Sequence, residues 1–213
     1  MKPTLKIYIL SFFLFIPALS HGQVLISLIF GESLNSDKIE FGLVGGMNRS
    51  YIRTISGSEG QNNFNLGFYF HILLKNNSYL STGVGVKSTL GATGMPTYSL
   101  GDPDFDELYE DGTLTRKIPV FSVPILFHQR FNNRWYIEAG TQLALIHQAK
   151  DIFEVSKLDG DLSYTRDVQD EYKRIDAGLL GGVGYKIKQE LKSMAVGVNY
   201  YHGLVDVSSK DDL

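Results

Sequence analysis

The 213-residue sequence has no cysteine, one tryptophan and six prolines. Without cysteine the chain forms no disulfide bonds and no thiolate metal sites. The formal net charge is only −3, so no global basic field favours nucleic acid as a partner. After residue 22 no stretch is apolar enough for a membrane-spanning helix, which needs about 20 apolar residues. Any membrane-embedded mature chain must therefore cross as strands.

Residues 1–22 have the features of a secretory signal peptide. Two lysines precede an apolar run over residues 7–19, and small residues precede a predicted cleavage site before Gln23. The alternative is a membrane-anchor helix. That alternative is disfavoured because the apolar run is short and Pro17 interrupts it. The mature chain is therefore expected in the envelope of a Gram-negative cell.

Glycine (22), phenylalanine (13) and tyrosine (12) are plentiful, which favours β structure. Period-two alternation of apolar and polar residues predicts strands. A strand of about 12 residues exceeds the 9–11 needed to cross tilted hydrocarbon, whereas strands of soluble sandwiches are nearer five or six. Seven segments alternate in this way: 38–52, 63–74, 79–91, 117–131, 135–148, 174–187 and 194–207.

The connections between these segments alternate in length, which is typical of outer-membrane barrels with short periplasmic turns and long external loops. The short ones are 75–78, 132–134 and 188–193, and the long ones are 53–62, 92–116 and 149–173. Within the last long loop the alternation resumes around Asp159-Gly160. Asp-Gly is a favoured hairpin turn, so an external hairpin is predicted there.

The strand count is odd, whereas single-chain bacterial barrels have even numbers from eight upward. An open sheet would leave two unpaired edges in lipid. Counting residues 24–31 as a strand would repair the count but invert every loop. We therefore expect a barrel domain over residues 38–213 that lacks its last strand, preceded by a periplasmic segment over 23–37. Residues 24–37 could form a short helix, a periplasmic strand or a piece in the barrel mouth.

Residues 174–187, "RIDAGLLGGVGYKI", divide into two faces with different chemistry. We expect the glycines to make room inside the barrel for larger residues on neighbouring strands, and Asp176 to meet a cation there. The face suited to hydrocarbon consists of Ile175, Ala177, Leu179, Gly181, Val183, Tyr185 and Ile187. The face suited to a crowded interior consists of Arg174, Asp176, Gly178, Leu180, Gly182, Gly184 and Lys186.

Charged residues are predicted on the inner face of several strands. An eight-stranded barrel is just wide enough for side chains to fill it, and buried charges must pair. A structural plug of salt bridges is therefore favoured over an ion or proton path. The predicted inner charges are Glu40, Lys87, Glu138, Arg174, Asp176 and Lys186.

Several segments resemble the PorT-like outer-membrane β-barrel proteins of Bacteroidetes-type bacteria. They are "GQVLISLIFGESLNSDKIEFGLVGGMNRS" (22–50), "VPILF" (123–127), "YIEAG" (136–140) and residues 174–187. The resemblance implies an all-β, antiparallel, up-and-down transmembrane barrel of eight strands in the outer membrane, with no enzyme activity and no cofactor. One founding member is linked to a protein-secretion apparatus, but most members have no assigned role, so that role is not transferred. We expect the chain to depart from the family by lacking the final strand.

No catalytic, cofactor or metal residues are predicted. The four histidines after the signal peptide, at positions 71, 128, 147 and 202, lie on different strands. The sequence contains neither an HExxH motif nor a GxSxG elbow. Lipid hydrolysis by a Ser/His pair is the enzymatic alternative.

The acidic stretch "GDPDFDELYEDG" (101–112) partly matches a calcium loop. Glu107 stands where that loop requires glycine, and Thr113 where it requires glutamate. A solvated external loop is therefore predicted. The less favoured interpretation is weak binding of divalent cations that bridge the loop to lipopolysaccharide phosphates.

The expected function is that of a non-enzymatic barrel with a structural, surface-interaction or envelope-assembly accessory role. The expected partners are outer-membrane lipid, lipopolysaccharide and the barrel-assembly machinery. The alternatives are a lipid-modifying enzyme and a soluble periplasmic β-barrel that binds a lipid. Aromatic girdles at the membrane surfaces would be formed by Phe41, Tyr51, Tyr79, Phe127, Phe131, Trp135, Tyr185 and Tyr200.

Overall fold

The computed structural model describes residues 34–52, 55, 57–157, 160–189 and 193–209. The predicted signal peptide, the greater part of the segment 23–37 and the turn residue Asp159 lie outside this part of the chain. The described residues form one antiparallel sheet of nine strands and a short helix. Among them, no helix has the length and apolar character needed to cross a membrane.

Seven strands form the wall, in the order β1-β2-β3-β4-β5-β8-β9, each antiparallel to its neighbour. The seven predicted segments are thus confirmed as strands. They are β1 (Ile39–Ser50), β2 (Glu59–Lys75), β3 (Ser78–Met95), β4 (Thr113–Phe131), β5 (Trp135–Ile146), β8 (Ile175–Lys186) and β9 (Ala195–Gly203). Helix α1 (Pro103–Tyr109) lies between β3 and β4.

Strands β2, β3 and β4 have 17, 18 and 19 residues, which is more than the predicted length. They extend into regions that the sequence assigned to the external loops. Strands β3 and β4 continue to pair with each other beyond the last residue of β4 that pairs with β5. The connection between β3 and β4 is therefore shorter than predicted.

Two short turns end the wall on one side, and both use consecutive asparagines. Asn76 and Asn77 have φ of 45° and 66°, and Asn132 and Asn133 have φ of 49° and 50°. Tight hairpin turns need positive φ, and asparagine tolerates that conformation better than most residues. The predicted short connections at these two places are confirmed.

Strands β6 (Lys150–Lys157) and β7 (Gly160–Asp167) form a hairpin at the opposite end of the wall. Strand β6 pairs with the first five residues of β4, from Thr113 to Lys117, and so continues the line of β5. This confirms the hairpin that the alternation around Asp159-Gly160 predicted.

The sheet is strongly curled. Five steps separate β1 from β8, so a flat sheet would hold their backbones roughly 24 Å apart at about 4.8 Å per step, beyond the reach of two side chains. Instead, Lys186 Nζ of β8 lies 3.7 Å from the carboxylate of Glu40 on β1. Arg130 Nη2 of β4, between them in the wall, lies 2.6 Å from the same carboxylate. The concave side of the sheet therefore surrounds an interior in which side chains from distant strands meet.

The convex side of the wall carries exposed apolar side chains at alternate positions. Exposure reaches 72% at Met47 and 75% at Val198. Apolar surface of this extent is unusual for a protein in water but matches the outward band of a membrane barrel. The predicted hydrocarbon face of residues 174–187 is confirmed at its large members, because the exposed side chains include Ile175, Leu179, Val183 and Ile187.

The aromatic girdle is partly as predicted. Trp135 and Tyr185 are cross-strand neighbours near the short turns, with ring centroids 4.8 Å apart, and Phe131 is exposed beside Trp135. The prediction for Tyr79 is wrong. Its side chain is buried inside the barrel, with the Arg130 guanidinium 4.2 Å from its ring centroid.

Candidate functional site

A buried charge cluster occupies the interior at the short-turn end. The carboxylate of Glu40 accepts a hydrogen bond from Arg130 at 2.6 Å and lies 3.7 Å from Lys186 Nζ. All three residues are buried. The cluster connects strands β1, β4 and β8 across the bore, so it holds the curled sheet together.

His128 continues this cluster on β4. The ring Nδ1 lies 3.0 Å from Glu138 Oε2, and Arg130 Nε donates to Nε2 at 3.2 Å. Because Nε2 accepts, the neutral ring carries its proton on Nδ1 and donates it to Glu138. Both ring nitrogens are therefore engaged by neighbouring side chains. Among the residues that the structure describes, no hydroxyl group forms a hydrogen bond with the ring. The arrangement differs from that of a nucleophile activated by a base.

Aromatic rings fill the space around this cluster. The His128 ring stacks on Tyr136 at 4.6 Å between centroids and lies 4.4 Å from the His71 ring. Tyr79 covers the Arg130 guanidinium. The contents of the bore at this level are thus a packed plug of rings and ion pairs, as the salt-bridge interpretation predicted.

The interior charges were only partly predicted. Glu40, Glu138 and Lys186 belong to the cluster. Lys87 does not, because an irregularity between Gly85 and Ser88 shifts the alternation of β3. Its ammonium instead lies 5.8 Å from the exposed ring of Phe64.

Two further predicted interior charges behave differently from expectation. Arg174 is exposed and precedes β8 rather than pointing into the bore. Asp176 is buried, but its partner is the hydroxyl of Tyr201 at 2.9 Å, not a cation. Sequence reasoning missed Arg130 and His128, although both share one face of β4 at a spacing of two residues.

The glycines have the predicted role of making room for larger side chains. A Cβ atom on Gly42 would lie 2.5 Å from Tyr69 Oη, and one on Gly178 would lie 2.7 Å from the ring of Tyr201. A Cβ on Gly184 would meet the ring of Tyr136. Real Cβ atoms do not come this close to other heavy atoms, so these tyrosines require glycine on the neighbouring strand.

A folded cap covers the other end of the wall. Its core combines α1 with β6 and the ends of β3 and β4, and Phe153 at its centre has no exposed surface. The cap is defined here as residues 92–116, 150–157 and 160–167. The buried members of its core are Ala92, Met95, Tyr109, Leu114, Phe153 and Val155.

Within the acidic stretch, residues Pro103–Tyr109 form helix α1 where the sequence predicted a loop. Its acidic side chains are exposed, as predicted, with the exception of the half-buried Asp106. Asp102 caps α1 by accepting from Asp104 N at 3.0 Å. Asp106 accepts from Ser99 Oγ and from Leu100 N, both at 2.6 Å. These two hydrogen bonds lower the pKa of Asp106 below its usual value. No group of three potential metal-ligating side chains occurs in the residues that the structure describes.

A buried ion pair between Arg116 and Asp151 stabilises the cap where it joins the wall. Arg116 Nε and Nη2 each donate to one oxygen of Asp151 at 2.6 Å, and both residues are buried. Tyr98 Oη donates to Asp151 at 2.9 Å, and Arg116 Nη1 donates to Tyr172 Oη at 2.9 Å. Burial, and then the Asp151 carboxylate, raise the pKa of Tyr98 above its usual value.

The wall, its filled interior and its one-sided long connections agree with the result of comparison with known families. The outer membrane protein beta-barrel domain matches residues 32–209, a range that contains every wall strand and the cap. The chain belongs to this family. It is therefore an outer-membrane protein. Searches of curated proteins and of solved structures give no match.

The cap of this outer-membrane barrel presents an aromatic surface between α1 and β7. Phe105, Leu162 and Tyr164 are exposed large apolar residues, and the ring centroids of Phe105 and Tyr164 are 5.5 Å apart. Residues 100–112 around this surface contain six acidic residues and no lysine or arginine. The cap thus combines apolar contact area with negative charge.

Proposed function

We propose that the protein is a PorT-like, non-enzymatic barrel that anchors its cap at the cell surface, and that the cap is a surface-interaction module. The proposal rests on the hydrophobic core that the cap has around Phe153. This core is not required for the wall strands to cross the membrane. A connection that served only to join two strands would not need a buried core and a buried ion pair. Ordered external loops on a rigid scaffold are typical sites of binding.

The filled bore supports an anchoring role over a transport role. Charged and aromatic side chains from β1, β4, β5 and β8 meet at the short-turn end. Apolar residues fill the interior nearer the cap, where Val120, Ile146 and Val168 are buried together. Packing at these two levels narrows the bore of a small barrel, which favours anchoring over the passage of solutes.

The proposed partners differ between the wall and the cap. The apolar wall would contact outer-membrane lipid and lipopolysaccharide, and insertion would use the barrel-assembly machinery. The cap would bind partners that complement an aromatic centre with an acidic surround. Binding to lipopolysaccharide phosphates would need bridging divalent cations, because phosphate and carboxylate repel each other.

A photo-crosslinking amino acid placed at Phe105 tests the surface-interaction role in intact cells. We expect crosslinks from this position to molecules outside the cell, and none from a matched position at Lys75 beside a short turn. Tyr164→Ser should weaken the Phe105 crosslinks without changing the folded fraction of the barrel. Crosslinks that are unchanged by Tyr164→Ser would contradict a binding role for the aromatic surface.

The enzymatic alternative is tested with purified barrel and labelled lipid A. We expect no turnover, because both nitrogens of His128 are engaged by Glu138 and Arg130. Turnover that disappears in His128→Gln, with folding retained, would replace the proposed role by a lipid-modifying one.

A further inference from the structure

Two lysines face each other on the convex side of the sheet, where the wall meets the cap. The pairing of β4 with β6 places Lys117 directly opposite Lys150. The neighbouring pair in this register, Arg116 and Asp151, is buried on the inner side, so the lysine side chains extend from the convex face. Like charges directly opposite each other destabilise a sheet. An anion between the ammonium groups of Lys117 and Lys150, here called the lysine pair, would remove this repulsion.

The described part of the chain does not provide this anion. Neither lysine forms an ion pair or a side-chain hydrogen bond with another described residue. Asp167 of β7 lies opposite Lys150 on its other side, but its Oδ1 accepts a hydrogen bond from Gln169 N at 2.9 Å instead. Lys117 is exposed and faces Gly91 of β3, which has no side chain. The lysine pair is therefore available to an anionic ligand.

An apolar strip begins beside the lysine pair and follows β4 and β5 toward the short turns. It consists of two cross-strand pairs of exposed residues, Phe121 with Leu145 and Val123 with Leu143. The ring of His147 packs on Phe121 at 4.6 Å between centroids, at the end of the strip nearest the lysines. Strand β6 continues the line of β5, so the lysine pair and the strip lie on the same two strand lines. A cationic end and an apolar length complement an amphiphile with an anionic headgroup.

We propose that the lysine pair and the apolar strip bind one lipopolysaccharide molecule, with a lipid A phosphate between Lys117 and Lys150 and an acyl chain along β4 and β5. The proposal rests on the proposed function in one respect, since a cap outside the cell places the lysine pair at the outer leaflet. Lysine stems can lie along apolar surface while the ammonium groups stay in the headgroup region. Direct contact of lysine with phosphate needs no bridging divalent cation, unlike binding at the acidic cap.

The charge of the ligand matches that of the lysine pair. A phosphate monoester carries about −1.5 to −2 charges at pH 7, which is close to the charge of two ammonium groups. The phosphate of an ordinary glycerophospholipid is a diester with a single negative charge. Lipid A, whose phosphates are monoesters, is therefore favoured over a glycerophospholipid. Free phosphate has the charge but no acyl chain for the apolar strip.

Native mass spectrometry of the full mature chain in zwitterionic micelles tests the site with purified lipid A. We expect one tightly bound lipid A molecule per barrel. Lys117→Gln/Lys150→Gln should weaken its binding about twenty-fivefold, because each lysine near anionic lipid contributes about fivefold. The matched control Lys75→Gln/Lys188→Gln removes the same charge at exposed positions at the short-turn end and should leave binding unchanged. Equal losses in the two double variants would overturn the proposal.

Three further ligands identify what the site recognises. Dephosphorylated lipid A tests for the phosphate, phosphatidylglycerol tests for the lipid class, and inorganic phosphate tests for the acyl chains. All three should bind more weakly than lipid A. Dephosphorylated lipid A or phosphatidylglycerol that bound as tightly as lipid A would overturn the proposal, and so would displacement of lipid A by an equal concentration of inorganic phosphate.

Lys117→Glu separates binding from folding. The new carboxylate lies opposite Lys150, where opposite charges are favourable, so the thermal stability of the lipid-free barrel should not fall while lipid A binding is lost. A folded Lys117→Glu barrel that still bound lipid A would overturn the proposal. These assays use purified barrel and do not depend on what the cap binds. Loss of the Phe105 crosslinks in cells would therefore contradict the proposed function alone, and loss of lipid A binding would contradict this site alone.

Discussion

Leu179→Arg is expected to remove most of the folded barrel from the outer membrane. Leu179 lies in the middle of β8, with 50% of its side chain exposed on the convex side of the wall. An arginine facing lipid near the midplane costs about 2–4 kcal/mol, which is a large share of the stability of a typical domain. The folded fraction is measured by heat-modifiable mobility after refolding into lipid vesicles, and by outer-membrane fractionation of cells.

Asp170→Arg is the matched control for Leu179→Arg. It adds the same side chain at an exposed position beyond the membrane-crossing part of the wall, so the folded fraction should stay near that of the unchanged protein. If Leu179→Arg and Asp170→Arg gave the same yield, the convex side of the wall would not face hydrocarbon.

Asp151→Leu is expected to unfold the cap while leaving the wall intact. The substitution leaves the buried guanidinium of Arg116 without its carboxylate and removes the acceptor of Tyr98. Breaking a buried ion pair by removing one partner costs about 3–5 kcal/mol. Limited proteolysis in micelles should cut within residues 96–112, and the remaining wall should stay protected.

The double variant Arg116→Met/Asp151→Leu provides the control for charge. Replacement of both members of a buried pair by apolar residues is often nearly neutral, so it should recover most of the protease resistance of the cap. If the cap of the double variant remained sensitive to protease, its stability would depend on the hydrogen bonds of Tyr98 and Tyr172 rather than on compensation of charge.

The wall could be predicted from the sequence because each of its rules is local. The period of two assigns the faces of β8, and the Asn-Asn pairs at 76–77 and 132–133 supply turns with positive φ. A local rule fails where the alternation is interrupted. The irregularity in β3 between Gly85 and Ser88 moved Lys87 to the convex side.

The interior and the cap could be predicted less well, because they depend on contacts that are distant in sequence. Glu40 and Arg130 are 90 positions apart, and only the curl of the sheet brings them together. Helix α1 left a local signal that was not used, since Asp102 followed by Pro103 is typical of a capped helix start. With seven residues, that helix is too short to be stable without the hairpin on which it packs.

Single-cysteine labelling of intact cells tests most directly whether the barrel crosses the outer membrane with its cap outside. Glu107→Cys on α1 and Lys75→Cys beside a short turn are both at exposed positions, and the chain has no other cysteine. An impermeant thiol reagent should label Glu107→Cys on whole cells, and Lys75→Cys only after the outer membrane is permeabilised. Labelling of Lys75→Cys but not Glu107→Cys on whole cells would contradict this orientation, and labelling of neither, even after permeabilisation, would contradict the exposure of both ends.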